Sequence, residues 1–128
     1  MEITKDVLAA IIDAYPYELI FADRTHTARL MNAAARRRYA GRVEVGASLF
    51  GCHNEHSRAK IEEFLAAADA GDTTEKFEVL NTRHAEREFF VPVVDAGGKV
   101  IGYFERHETV WSTDDPSQPL GDYWERSL

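Results

Sequence analysis

The chain has 128 residues, of which 45% are hydrophobic and 29% are charged, and its formal net charge is −7. This length and composition fit one globular domain and exclude a disordered chain. The acidic balance argues against nucleic-acid and anionic-membrane surfaces, because both need a basic face. The single cysteine excludes an internal disulfide, and no apolar run approaches the roughly 20 residues that span a bilayer. We therefore expect a cytoplasmic protein with neither nucleic acid nor membrane as a partner.

The N-terminal segment, residues 1–16, predicts a flanking helix. Thr4 is a good helix cap, and Pro16 stops the pattern. Between them Val7, Leu8, Ile11, Ile12 and Tyr15 are spaced to form one apolar stripe. The stripe is wide for so short a helix, so it must pack on its own domain or on a second copy.

A hairpin and a small helix follow. Residues 17–22 and 27–31 read as strands, with a turn at residues 23–26 between them. Asn32 can cap a helix over residues 33–39, and Gly41 suits a left-handed end to it.

The second half predicts a longer helix and then three strands. Apolar residues recur at helical spacing over residues 55–70, and strand-like segments follow at 75–80, 86–95 and 99–110. Strands at both ends with helices between them predict an α+β fold with one antiparallel sheet and helices mainly on one face. The domain is expected to cover residues 17–110, and residues 111–128 read as an irregular tail.

Four segments, taken in order, resemble the motifs of PAS domains. They are an acidic turn, a strand and Asn-x-Ala at residues 23–34, a Gly-x-Ser-hydrophobic step at 45–50, a counterpart of His-Pro-x-Asp at 52–56, and a glycine turn at 95–102. The resemblance covers roughly residues 5–110. It implies a five-stranded antiparallel sheet whose inner face and helices enclose a small cavity. Members of this family sense ligands, redox state, light or gas, or only dimerise.

The resemblance implies a sensory or regulatory domain without catalytic residues. A small ligand or cofactor would bind in the cavity, and its state would pass through dimer contacts or to a separate signalling partner. The side chains that we expect at the ligand are Phe21, Leu30, Phe50, Cys52, His53, His56, Phe64 and Tyr103.

The cofactor is left unassigned because the segment around Cys52 allows several interpretations. Haem binding through His53 or His56 is one option, and a zinc or iron site that also uses Cys52 is another. A flavin is disfavoured, because the reactive cysteine of photoactive members would fall at Leu49. In the simplest interpretation, this segment only begins the long helix. We therefore assign no metal ligands.

The apolar strands predict a homodimer. Residues 89–94 and 100–104 are apolar on both faces, whereas a strand with one face in water should alternate. A second copy could cover the outer face together with the first helix. In the alternative, the helix covers its own sheet and the protein is monomeric.

An enzyme is the competing functional class. A small isomerase or hydratase could use His53 or His56 as a base inside the same cavity. Such an enzyme needs a histidine and a carboxylate that converge in one apolar pocket. The charged run Glu86-Arg87-Glu88 is expected to be only the solvated start of a strand.

Overall fold

A computed structural model describes residues 1–51, 55–81 and 86–109. The predicted tail at residues 111–128 lies outside this part of the chain. The helices are α1 (Lys5–Ala14), α2 (Ala33–Arg38) and α3 (Glu55–Asp69), with a 3₁₀ turn at Leu49–Gly51. The strands are β1 (Ile20–Asp23), β2 (Ala28–Met31), β3 (Lys76–Asn81), β4 (Glu86–Val94) and β5 (Val100–Thr109).

The five strands form one antiparallel sheet in the order β2-β1-β5-β4-β3. The last strand therefore lies at the centre, between the first strand and β4. The predicted α+β fold with a five-stranded antiparallel sheet is confirmed. Within the described ranges, no helix is long and apolar enough to cross a membrane.

One face of the sheet packs against α3 and forms the core. Ala22, Ala28 and Tyr103 are buried on this inner face, together with Phe90, which lies beside Phe64 of α3. Strand residues alternate between faces, so Phe21, Leu30 and Phe104, which are paired across β2, β1 and β5, lie on the outer face.

Asn32 fixes the junction between α1, β1 and α2. Its side chain is fully buried, and Oδ1 accepts hydrogen bonds from the backbone N–H groups of Leu19 and Ala35, at 2.9 and 3.0 Å. Nδ2 donates to the carbonyl oxygens of Tyr17 and Tyr15, at 2.8 and 3.2 Å. The predicted helix cap therefore also holds the chain segment that leads into the sheet.

The first helix buries none of its residues in the single chain. Thr4 caps it as predicted, because its hydroxyl oxygen accepts a hydrogen bond from the N–H of Val7. Its main neighbour is α2, which Asp13 contacts through the backbone N–H of Ala33. Leu8 and Ile11 of the apolar stripe stay exposed, at 50% and 58%.

Candidate functional site

A cavity of about 270 Å³ lies between α3 and the β3–β4 end of the sheet. Its lining combines apolar rings with charged groups: Lys60, Glu63, Phe64, Ala67, Lys76, Phe77, Glu78 and Phe90. Phe64 and Phe90 are buried and form the wall, with ring centroids 5.5 Å apart. The cavity is large enough for a small organic molecule.

Glu78 lies at a bulge of β3 and lines this cavity. The pairing with β4 shifts between Phe77, which is opposite Phe89, and Val79, which is opposite Glu88. Glu78 is the extra residue, and it faces the same side as Lys76, two residues earlier, which also lines the cavity. Its Oε2 atom is buried and accepts no hydrogen bond.

Next to the cavity, the inner sheet face carries a group of ionisable side chains that we call the inner carboxylate cluster. Its members are Glu18, Glu78, Glu86, Glu88, Glu105 and His107. His107 is only 2% exposed, and its Nδ1 lies 3.3 Å from Oε2 of Glu86 and 3.4 Å from Oε2 of Glu18. Burial acts to lower the pKa of His107, but Glu105, Glu88 and Glu18 outweigh it and raise that pKa.

Arg38 of α2 closes one side of the cluster. Its Nη1 atom lies 3.0 Å from Oε1 of Glu18 and 3.1 Å from Oε2 of Glu86, so one guanidinium bridges two carboxylates. The neighbouring Tyr39 has its pKa raised to about 12, first by burial and then by Glu105, Glu18 and Glu88 against the opposing charge of Arg38. Tyr39 is therefore a neutral phenol at physiological pH.

Glu78 is a strongly perturbed acid within the cluster. Burial, followed by the charges of Glu105 and Glu88, raises its pKa to about 8, although His107 and Lys60 act in the opposite direction. Its carboxyl group is therefore mainly protonated at pH 7. A neutral acid at the wall of a cavity can donate a hydrogen bond, or it can ionise when a cation arrives.

Glu18, Glu86 and His107 could in principle hold a metal ion, because one ligand atom from each falls within a 4.8 Å group. Carboxylate and imidazole ligands suit a divalent cation. However, Arg38 already lies between the two carboxylates, and a metal would have to displace it. The donor set therefore fits an internal ion-pair network better than a metal centre.

The structure places the residues predicted at the ligand in several different surroundings. Phe64 lines the cavity. Phe50 and Tyr103 pack on His26 instead: the Phe50 ring stacks at 4.0 Å between centroids, and the Tyr103 hydroxyl lies 2.9 Å from Nδ1 of His26. These side chains fill the part of the interior beneath the 3₁₀ turn.

Phe21, Leu30 and His56 do not line the cavity. Phe21 and Leu30 lie opposite each other on the outer face of the sheet. His56 is exposed in the first turn of α3. Cys52 and His53 lie outside the described residues, so their part in a ligand site stays a prediction.

Sequence reasoning missed the inner carboxylate cluster, and it wrongly assigned Glu86 and Glu88 to a solvated strand start. Their side chains are only 13% and 14% exposed. Glu86 and Glu88 lie four and two residues before Phe90, so the two-residue period of a strand places them on the same inner face as Phe90. The same period places Glu105 and His107 beside Tyr103 on β5. That periodicity was the available signal, but charge alone suggested solvent.

Comparison with known proteins identifies the architecture. No protein-family profile matches the sequence, and neither does any curated protein. Among solved structures, the PAS domain of BvgS from Bordetella pertussis is 18% identical, with a TM-score of 0.60 over 96% of this chain and 97% of that chain. A PAS domain from Colwellia psychrerythraea is 12% identical, with a TM-score of 0.59 over 82% of this chain and 95% of that one.

The chain has the PAS fold. VqmA from Vibrio cholerae, solved as a ligand–DNA complex, shares 14% identity at a TM-score of 0.59, over 98% of this chain and 59% of its own. Similarity at these identities establishes the fold alone, and function has to come from the residues. In this PAS fold, the space enclosed by the helices and the inner sheet face holds both the cavity and the carboxylate cluster.

Proposed function

We propose that this chain is a sensory domain of the PAS type that binds a small ligand in the cavity beside α3. The observation that carries the proposal is the cavity itself, with buried aromatic walls from Phe64 and Phe90 and the polar carboxyl group of Glu78. Apolar pockets with a few convergent polar groups are the usual form of small-molecule sites. Structural neighbours include a sensory box histidine kinase of Vibrio cholerae and VqmA with a ligand and DNA, which supports a regulatory role.

Ligand binding would be transmitted to other proteins through the outer surface of the domain. α1 exposes Leu8 and Ile11, and β5 exposes Ile101 near its start. We propose that these surfaces pair two copies and that ligand occupancy alters the pairing or a contact with a separate signalling partner. The exposed apolar stripe supports this proposal, because a solvent-facing helix does not need one.

The alternative of a small enzyme is less well supported. A histidine and a carboxylate do converge, at His107 and Glu86, but His107 is 2% exposed and Glu86 is paired with Arg38. His107 is absent from the residues that line the cavity. A substrate in the cavity would therefore have no direct access to this histidine, so a binding domain fits the geometry better.

Native mass spectrometry of the purified protein tests the proposal. Ala67 lines the cavity, whereas the adjacent Ala66 is exposed on the same helix. We expect a co-purified or added small molecule to bind the unmodified protein and Ala66→Trp, but not Ala67→Trp. Equal binding by both variants would contradict a ligand site in this cavity. An absorption spectrum of the same sample would reveal a haem or a flavin.

A further inference from the structure

The cavity has a polar side and an apolar side. Phe64, Phe90 and Ala67 supply apolar surface, and Glu78 supplies a carboxyl group from the β3 bulge. At roughly 30 Å³ for each water molecule, the 270 Å³ cavity holds the volume of about nine waters. A ligand of roughly ten non-hydrogen atoms would fill it.

One oxygen of the Glu78 carboxyl group has no hydrogen-bond partner. Its Oε2 atom is buried without a hydrogen bond, and the negative charges of Glu88 and Glu105 lie behind it. In the described part of the chain, neither lysine of the cavity lining donates a hydrogen bond to this oxygen. Lys76 is bound to Asp72 and Thr74, and Lys60 is exposed on α3. A positive group placed at Oε2 would satisfy the orphan oxygen and offset the surrounding negative charge.

The charge balance of the inner face points in the same direction. Among the described residues, Arg38 and His107, whose pKa is raised, lie against Glu18, Glu86, Glu88 and Glu105, and Lys60 also acts on Glu78. The excess of carboxylates therefore favours a cation over an anion. The aromatic walls add to this preference, since ring faces attract cations.

We propose that the cavity binds a small organic cation, a primary amine with an apolar body, whose ammonium group donates hydrogen bonds to Oε2 of Glu78. This inference rests on the proposed ligand-binding function and specifies the class of the ligand. The apolar body would lie against Phe64 and Phe90.

Binding of such an amine is linked to protonation. Glu78 is largely neutral at pH 7, so it releases a proton to solvent when it becomes the counter-ion of the ammonium group. The affinity should therefore rise with pH, approaching tenfold per unit below pH 8, and should level off above it. An alcohol of the same shape should show no such dependence.

Isothermal titration with three probes tests the inference. These are 2-phenylethylamine, the neutral 2-phenylethanol and the anion phenylacetate. We expect the amine to bind at least tenfold more tightly than either analogue at pH 8. Glu78→Gln should remove this preference while it keeps the binding of the alcohol. Glu63→Gln is the matched control, because Glu63 is a carboxylate of the same cavity on the exposed side of α3.

Each contrary result has a distinct meaning. Equal binding of amine and alcohol, preference for phenylacetate, or equal effects of Glu78→Gln and Glu63→Gln would overturn the cation inference. Absence of binding by all three probes would overturn it as well. The proposed function is tested separately. It requires that Ala67→Trp no longer binds a small molecule of any charge and that Ala66→Trp still binds it. Thermal unfolding of Glu78→Gln confirms that the variant is folded.

Discussion

Nδ1 of His107 lies 3.3 Å from Oε2 of Glu86, in surroundings where the imidazole is 2% exposed. Glu18 and Glu88 approach the same nitrogen, at 3.4 and 3.9 Å, and Glu105 approaches Nε2 at 3.8 Å. One buried histidine thus faces four carboxylates, and its protonated form holds them together. Several consequences of this network, and of the packing around it, can be measured.

His107→Gln should destabilise the protein most at low pH. The pKa of His107 is raised in the folded state, so its stabilising contribution is complete below the ordinary value of 6.5 and is lost as the pH rises through the folded pKa. We expect a loss of about 3 kcal/mol at pH 6, as for a broken buried ion pair, and a smaller loss at pH 9. Urea unfolding at several pH values measures the difference.

His26→Gln gives the opposite pH signature and serves as its control. Burial is the main cause that lowers the pKa of His26, so the contribution of that residue is complete above 6.5 and declines as the pH falls. If both variants showed the same pH dependence, the assigned charge state of His107 would be wrong.

Glu78→Gln should stabilise the protein at alkaline pH. The folded pKa of about 8 lies above the ordinary 4.5, so the stabilising effect of this group is complete below 4.5 and is lost as the pH rises through 8. We expect the variant to equal the unmodified protein near pH 4.5 and to exceed it by about 2 kcal/mol at pH 9, after allowance for partial solvent screening. Parallel melting-temperature profiles from pH 5 to 9 would contradict this.

Asn32→Ala should be strongly destabilising. The substitution leaves the N–H of Leu19 and the carbonyls of Tyr15 and Tyr17 without their side-chain partner in a fully buried place. A loss of about 3 kcal/mol or more is expected in urea unfolding. Thr4→Ala removes an exposed cap and should cost only about 1 kcal/mol. Similar losses in the two variants would show that Asn32 acts only as a cap.

Gly102→Ala should disturb the centre of the sheet. A Cβ atom at this position would collide with the carbonyl oxygen of Ala22 and approach Cε2 of Phe21 to 2.7 Å. We expect a loss of about 2 kcal/mol or more, because neighbouring backbone cannot move aside easily. Among the residues that the structure describes, Gly51→Ala meets nothing within 4 Å, so it is the matched control, with little change expected in melting temperature.

Ile11→Glu should abolish the proposed homodimer. Ile11 is 58% exposed in the single chain, so a charge there does not disturb the monomer fold. Sedimentation velocity should show dimers of the unmodified protein and monomers of the variant. Ala9→Glu, on the other side of α1, should remain dimeric. Monomers of the unmodified protein at high concentration would refute the dimer.

The sequence by itself determined the elements and their order. Thr4 and Asn32 began helices where predicted, and the strand ends fell within a few residues of the predicted ones, because caps and turn residues act locally. The α+β class followed from the order of those elements, and the motif resemblance led to the PAS fold.

Only the tertiary structure decided what faces the interior. Pairing across the sheet placed Phe21 and Leu30 on the outer face, and it carried Glu88 and His107 inward. Strand register depends on distant partners, and a one-residue shift exchanges the faces, so a single chain segment cannot fix it. The inward position of Glu78 on β3 depends on the same long-range pairing.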